Sequence, residues 1–426
     1  MLNIIDLFSG AGGLTEGFRD PNFFNLIAHV EMDQSACKTL KLRDTYYYLK
    51  EKNKLNLYYD YISGKISRDF FFSKIPESVV SKIINIGISE DTLENIFSTI
   101  DTRKSTRKIH GVIGGPPCQA YSTIGRSQNE KNKKQDERIY LYKYYIKFLE
   151  RYDPDFFIFE NVKGLLSFND LDGQKLFDKI LNEFSNINGA DHYRIEQKMI
   201  NCSDYGVPQT RERLFIFGQK KSNKNGDFFS WIKKYKETPP IINKLFQDLP
   251  LIHAGQTKNK YSCTPADSFV KKNLRKKNVP LTQNICRPNK ENDLAIYRIV
   301  AEEKKKNRNI KYSDLPPHLI THKKTNIFLD RFKAINGTGF SHTVVAHISK
   351  DGHYYIHPDV NQNRSITVRE AARIQTFPDD FYFEDSRTAA FKQIGNAVPP
   401  YFSNIISKSI FENLYASMKR PNKQKV

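Results

Sequence analysis

Through the first 220 residues, short apolar runs alternate with stretches whose apolar positions recur every three or four residues. Short runs rich in β-branched and aromatic residues predict strands, and the 3.6-residue recurrence predicts helices. Strands are expected at Leu2 to Phe8, Leu26 to Met32, Ile83 to Ile88, His110 to Gly114, Phe156 to Glu160, Tyr193 to Ile200 and Leu214 to Gly218. Helices are expected from Leu14 to Arg19, Asp33 to Arg43, Leu141 to Leu149 and Leu176 to Phe184. Strands spaced by helices in this way predict an α/β fold around a mostly parallel, Rossmann-like sheet. From about Leu42 to Pro76, Tyr, Lys and Phe crowd together without a period, which reads as an inserted, partly helical excursion.

After Gly218 the pattern changes. Residues 220–340 are basic and broken by Gly, Pro and Asn, with cation clusters at Lys271, Lys272, Arg275, Lys276 and Lys277 and at Lys304, Lys305, Lys306 and Arg308. Periodicity returns at Thr367, where Thr367-Val-Arg-Glu370 has the spacing of a capping box and should open a helix carrying Ala371, Ala372 and Ile374. A last helix is expected from Tyr401 to Met418, and the tail from Pro421 is expected to be disordered.

Composition narrows the class. A chain of 426 residues exceeds one ordinary core and suits a large domain with a smaller one. The formal net charge of +20, from 67 basic and 47 acidic residues, points to a polyanionic partner, with nucleic acid first. No apolar run is of membrane-spanning length, so no membrane partner is expected. The N-terminus runs straight into a strand, which leaves no room for a signal peptide and predicts a cytoplasmic location. Five cysteines without a C-x-x-C spacing argue for a reducing compartment and against a disulfide framework or a cysteine-ligated metal.

Five local patterns carry candidate chemistry. In Gly114-Gly-Pro-Pro-Cys-Gln-Ala-Tyr-Ser122, two prolines stiffen the approach to Cys118, and the glycines allow a ligand against bare backbone. Asp6-Leu-Phe-Ser-Gly-Ala-Gly-Gly13 joins a strand to a helix whose N-terminus is electropositive. Glu31 ends the next strand, where a carboxylate can accept from both hydroxyls of a ribose while Met32 packs on an adenine. Glu160 ends an apolar strand expected to lie beside the one that leads to Cys118, and Gln209-Thr-Arg-Glu-Arg213 supplies two guanidinium groups. Each has a plainer alternative: an inert thiol in a turn, a satisfied structural carboxyl, a solvated basic face.

Taken together and in this order, with Gln393-Ile-Gly-Asn-Ala-Val-Pro399, these motifs resemble those of the DNA (cytosine-5) methyltransferases of bacterial restriction-modification systems. The resemblance implies a catalytic and cofactor-binding domain over 1–219, a target-recognition domain over 220–363 and a segment over 364–420 that returns to the catalytic domain. It implies S-adenosylmethionine as methyl donor, in a site formed by Phe8, Gly10, Ala11, Gly13, Glu31, Met32, Asn396 and Ala397. Cys118 is then the nucleophile, with Glu160, Arg211 and Arg213 as its catalytic partners, and no metal is implied. Gln119, Ser122, Arg126 and Thr343 are the expected DNA contacts, and the polar stretch Tyr121 to Arg138 reads as a loop that closes on DNA. Duplex DNA is the implied substrate of a protein acting as a monomer near the nucleoid of a prokaryote, with a restriction endonuclease for the same site as its natural companion. An RNA methyltransferase on the same scaffold and a catalytically silent DNA-binding protein are the competing readings. One departure stands out: an acid usual at the end of the third strand is missing, Gly87 falls in its place, and Asn85, Glu90 or backbone would have to substitute.

Overall fold

The computed structural model describes residues 1–117, 121, 136–189, 192–222, 226–321 and 329–415. Its centre is a seven-stranded sheet in the order β3-β2-β1-β4-β5-β8-β6. The strands are β1 (Leu2–Leu7), β2 (Phe24–Glu31), β3 (Ile83–Asn85), β4 (Gly111–Gly114), β5 (Phe156–Asn161), β6 (Tyr193–Asn201) and β8 (Glu212–Lys220). A separate two-stranded pair joins β7 (Gln209–Thr210) to β9 (Ser341–His342). The first five sheet strands run parallel, and β8 lies antiparallel to both β5 and β6.

The continuous apolar runs are buried because both faces are covered, as expected of parallel sheets. On one face α3 (Glu90–Lys104), α4 (Leu141–Tyr152) and α5 (Leu176–Ser185) form a core with Ile5, Leu7, Val112, Phe157 and Phe159. On the other, α1 (Gly13–Glu16), α8 (Pro400–Ile410) and the helix Phe228–Lys233 pack on Ile4, Ile113, Ile158, Phe215 and Phe217. The sheet core therefore draws on residues 228–232 from beyond Gly218.

A third core joins the helix Ile242–Phe246 and residues 270–281 to α6 (Val368–Ile374) and α7 (Arg387–Asn396). The capping box at Thr367 forms: the Glu370 N–H donates to Thr367 Oγ1 (3.1 Å) and the Thr367 N–H to Glu370 Oε2 (2.7 Å). A fourth, smaller core surrounds the helix Glu291–Lys305.

Several expectations are redrawn. The helix after β2, α2 (Gln34–Glu51), runs past Arg43 into the excursion, and short helices Leu55–Ile62 and Arg68–Ser73 follow. Their Tyr46, Tyr58 and Phe71 make a local core. The third strand stops at Asn85, and Ser89 then caps α3, which was not expected. The last helix ends at Ile410 and continues as a wider turn through Tyr415; the rest of its expected length and the tail lie outside the described residues.

Candidate active site

The C-terminal ends of β1, β2, β4 and β5 lie side by side at one edge, where open α/β sheets hold ligands. Because β8 is antiparallel to β5, its starting residues arrive at the same edge, with Leu214 opposite Asn161. That reversal brings Arg213 to Glu160, with Nε 3.1 Å from Oε1, although 52 positions of chain separate them (213 − 160 = 53, less one). Both side chains are mostly enclosed, at 12% and 15% exposure. Burial pushes the Glu160 carboxyl above its ordinary pKa, against the opposing pull of Arg213 and Arg211.

Next to Glu160 runs the Pro-Pro segment. A Cβ on Gly115 would meet the Glu160 carbonyl oxygen at 2.1 Å, so the two backbones touch and no other residue fits. The glycine serves this contact between strands, where the sequence suggested room for a ligand. Asn161 Nδ2 donates to the Pro116 carbonyl (3.3 Å), and its Oδ1 accepts from the Val162 N–H (2.8 Å). Glu160 and the approach to residue 118 are thereby held in one register. Cys118, Gln119, Ser122 and Arg126, with most of the expected closing loop, lie outside the described residues.

The structure separates the two arginines that the sequence grouped as catalytic. Arg213 faces Glu160, whereas Arg211 is fully buried and donates to the carbonyls of Val344 (2.9 Å), Gly395 (3.3 Å) and Ala397 (2.8 Å). Its fork is occupied in joining the recognition-like region and the C-terminal segment to β8. Gln209 does similar work: Oε1 accepts from the Val344 N–H (3.0 Å) and Nε2 donates to the Ile374 carbonyl (3.1 Å). Thr343 Oγ1 donates to the Thr210 carbonyl, which leaves Thr343 half-buried against β7.

A second group of side chains surrounds the loop after β1. Phe8 and Gly10 both adopt positive φ, at 54° and 53°, a conformation that is uncommon for a phenylalanine and marks a constrained turn. Glu31 holds this turn: Oε2 accepts from the Gly10 N–H and Oε1 from the Asp33 N–H, each at 2.7 Å. Burial raises the Glu31 pKa, and these backbone donors oppose the rise. Each carboxylate oxygen keeps a further lone pair for a ligand hydroxyl. Met32, just past the strand end, is an apolar side chain 70% exposed.

Asn396 is exposed as well, on α7, which is tied to the start of α2 by an ion pair between Lys392 and Asp33 (2.7 Å). Ala11, Gly13 and Ala397 are buried; a Cβ on Gly13 would sit 2.3 Å from the Val398 carbonyl and 2.9 Å from Ala397 Cβ. They hold α1 against the 397–398 segment. Asp33 and Lys392 are functional candidates that the sequence reading missed, and only their proximity in space reveals them.

The absent acid of the third strand has no simple substitute. Asn85 Nδ2 lies 3.2 Å from the carbonyls of both Glu31 and Met32, while Glu90 pairs with Lys147 at 2.7 Å on the exposed side of α3. Among the described residues, no group of three or more His, Cys, Asp or Glu side chains could hold a metal ion, and no helix is long and apolar enough to cross a membrane.

A family model of C-5 cytosine-specific DNA methylases matches residues 2–66 and 85–412. The type II methyltransferase M.Bpa9945I of Bacillus paralicheniformis is 39% identical over 440 aligned positions, covering 96% of this chain and 98% of that protein. M.DdeI of Desulfomicrobium norvegicum is 28% identical, covering 97% of this chain and 90% of its own. Among solved structures, an E. coli prophage protein described as a DNA modification methyltransferase superposes with a TM-score of 0.63 at 24% identity, covering 97% of this chain and 99% of that one.

Proposed function

The chain belongs to the C-5 cytosine-specific DNA methylase family, and from that premise we propose how its own residues transfer a methyl group to a cytosine flipped out of duplex DNA. It is a DNA (cytosine-5) methyltransferase that uses S-adenosylmethionine. When bound, that cofactor supplies an electrophilic methyl carbon. Glu31, with Gly10 behind it, would hold the ribose; Met32 would cover the adenine, and Asn396 would close the pocket from α7.

Carbon 5 of cytosine is a weak nucleophile, and the residues at the sheet edge answer that difficulty. The Cys118 thiolate adds to carbon 6, and the ring's electron pair moves toward carbon 5 as the Glu160 carboxyl gives its proton to ring nitrogen 3. A carboxyl raised by burial is protonated more readily, which suits this step. Arg213 orients Glu160 and is placed to meet the base's carbonyl oxygen. After methylation, a base takes the carbon 5 proton, the Cys118 sulfur departs as thiolate, and nitrogen 3 returns its proton to the Glu160 carboxylate, which restores the ring. These steps need the base outside the stack. Residues 220–363 would read the target sequence, with the turn Asn336 to Phe340 as the element that enters a groove.

The observation that most supports this reading is the Glu160–Arg213 pair, set against the backbone of Pro116 two residues before Cys118. The test is incorporation of a labelled methyl group from S-adenosylmethionine into duplex DNA and into tRNA by the same preparation. Transfer to cytosine in the duplex is the expected result. Transfer to tRNA alone would make it an RNA enzyme, and binding of DNA without transfer would make it a silent homologue.

A further inference from the structure

We propose that the cleft lined by Lys304, Arg308 and Lys333 is a phosphodiester site that fixes the register of the 336–343 loop on duplex DNA, an inference that rests on reading 220–363 as the target-recognition region. The cleft has a volume of ≈ 90 Å³, with an apolar floor from Val300 and Phe332 and a rim from three separate stretches of chain. Lys304 comes from the last turn of the helix Glu291–Lys305, Arg308 from the turn after it, and Lys333 from the segment leading into the loop.

The rim carries three cations against one carboxylate, and that carboxylate is engaged: the Tyr354 hydroxyl donates to Asp330 Oδ2 at 3.0 Å. Arg308 pairs with Glu303 at 2.6 Å, but among the described residues neither Lys304 nor Lys333 has an ion-pair partner. Lys304 Nζ donates to Asn309 Oδ1 (3.0 Å), and Lys333 Nζ lies 3.5 Å from the Tyr354 hydroxyl and 5.0 Å over its ring. Burial and the repulsion of Lys304 lower the Lys333 pKa, a cost that a bound anion would offset. The same positive field reaches the neighbouring strand: burial, Lys333 and Lys304 push His342 of β9 down to about 3, so this imidazole is neutral at working pH.

Backbone bonds connect the cleft to the loop. The Lys333 N–H donates to the His353 carbonyl (2.9 Å), and the Ile356 N–H donates back to the Lys333 carbonyl (3.0 Å). The Ile335 N–H then donates to the Ile356 carbonyl (3.0 Å), and Asn336 opens the loop one residue later. Beyond the loop, β9 pairs with β7, three residues before Arg213 begins the catalytic pair. A phosphate seated in the cleft is therefore fixed relative to both the loop and Glu160. Phosphate contacts set register and orientation, and base contacts specify sequence, so this site should affect affinity for all duplexes alike.

The test measures the affinity of the full chain, with S-adenosylhomocysteine present, for a labelled duplex containing a methylated site mapped by bisulfite sequencing, across a salt series. Lys333→Gln should make the slope of log affinity against log salt shallower by about 0.9, one lost phosphate contact. Lys333→Arg should keep the slope, and Lys65→Gln, which removes a lysine 69% exposed in the excursion, should leave it unchanged. The set of methylated sites should be the same in all four proteins. An unchanged slope in Lys333→Gln, or a shift in which sites are methylated, would overturn the phosphate assignment. Failure of the underlying reading shows separately, as absence of methyl incorporation by the unaltered chain, and would remove the proposal with it.

Discussion

In the proposed mechanism the chemistry converges on Glu160, and its environment makes two separable predictions. Replacing it with Gln removes the proton donor while keeping the shape, so methyl transfer should fall by about 10²- to 10⁴-fold with cofactor affinity unaltered. Single-turnover rates and calorimetry on one preparation check both halves. The raised carboxyl pKa also has a sign: between the ordinary and the raised value the folded state binds more protons than the unfolded one, so stability declines as pH rises through that window. Glu160→Gln should flatten that decline in a pH series of unfolding midpoints; an unchanged pH profile would remove burial as the cause. Glu31→Ala should weaken S-adenosylmethionine binding by about 1.5 to 3 kcal/mol for each charged hydrogen bond lost. It should also loosen the turn that Gly10 makes, because the same carboxylate holds that backbone. Unaltered cofactor binding by calorimetry would take Glu31 out of the pocket.

At the scale of elements, the join between β7, β8 and β9 matters as much as the sheet. Arg211→Met would leave the carbonyls of Val344 and Gly395 without their donor, at about 1–3 kcal/mol for each buried group left unmade, while the Ala397 carbonyl keeps its bond from Gln375 Nε2. Denaturant unfolding should show a loss of several kcal/mol, whereas Arg213→Met should cost far less stability and mainly activity. The sequence could not distinguish these residues, since two arginines one position apart in a Gln-x-Arg-x-Arg run look alike until the strand's neighbours are known. The parallel strands were legible because β1, β4 and β5 are buried on both faces and read as short, mostly apolar runs. Helix α3 was missed although Leu93, Ile96, Phe97 and Ile100 stand at helical spacing, because extending the third strand to Ile88 obscured its start. The excursion was opaque for a physical reason. Tyr46 and Tyr58 are buried there with their hydroxyls on Asp380, more than 320 positions away (380 − 58 = 322), so no local period marks them.

Over the whole molecule, the net charge of +20 suits a nucleic-acid substrate, yet the clusters behind it divide into different roles. Arg275 lies 3.4 Å over the Tyr261 ring and pairs with Asp248 at 2.7 Å, and Lys276 reaches Asp380 at 3.5 Å, so part of the 271–277 run stabilises packing. The third core joins residues 242–281 and 335–355 to α6 and α7. A recognition region built this way should accept exchange as a block from Asn243 side to Val344 side only if its Gln209 and Arg211 contacts are kept. Replacing residues 243–344 with the equivalent region of a relative that methylates another sequence, which leaves the sheet-core helix Phe228–Lys233 in place, should transfer the target and leave cofactor affinity intact; an active chimera that keeps the original sites would place specificity elsewhere. The central claim is a covalent bond from Cys118 to the cytosine ring, and a long duplex synthesised with 5-fluorocytosine in place of cytosine tests it most directly. With fluorine at carbon 5 there is no proton to lose after methylation, so the chain should become trapped on the DNA in a complex that survives denaturing electrophoresis, requires S-adenosylmethionine and is absent from Cys118→Ala. Methyl transfer without any trapped complex, or a complex that forms equally in Cys118→Ala, would contradict the account.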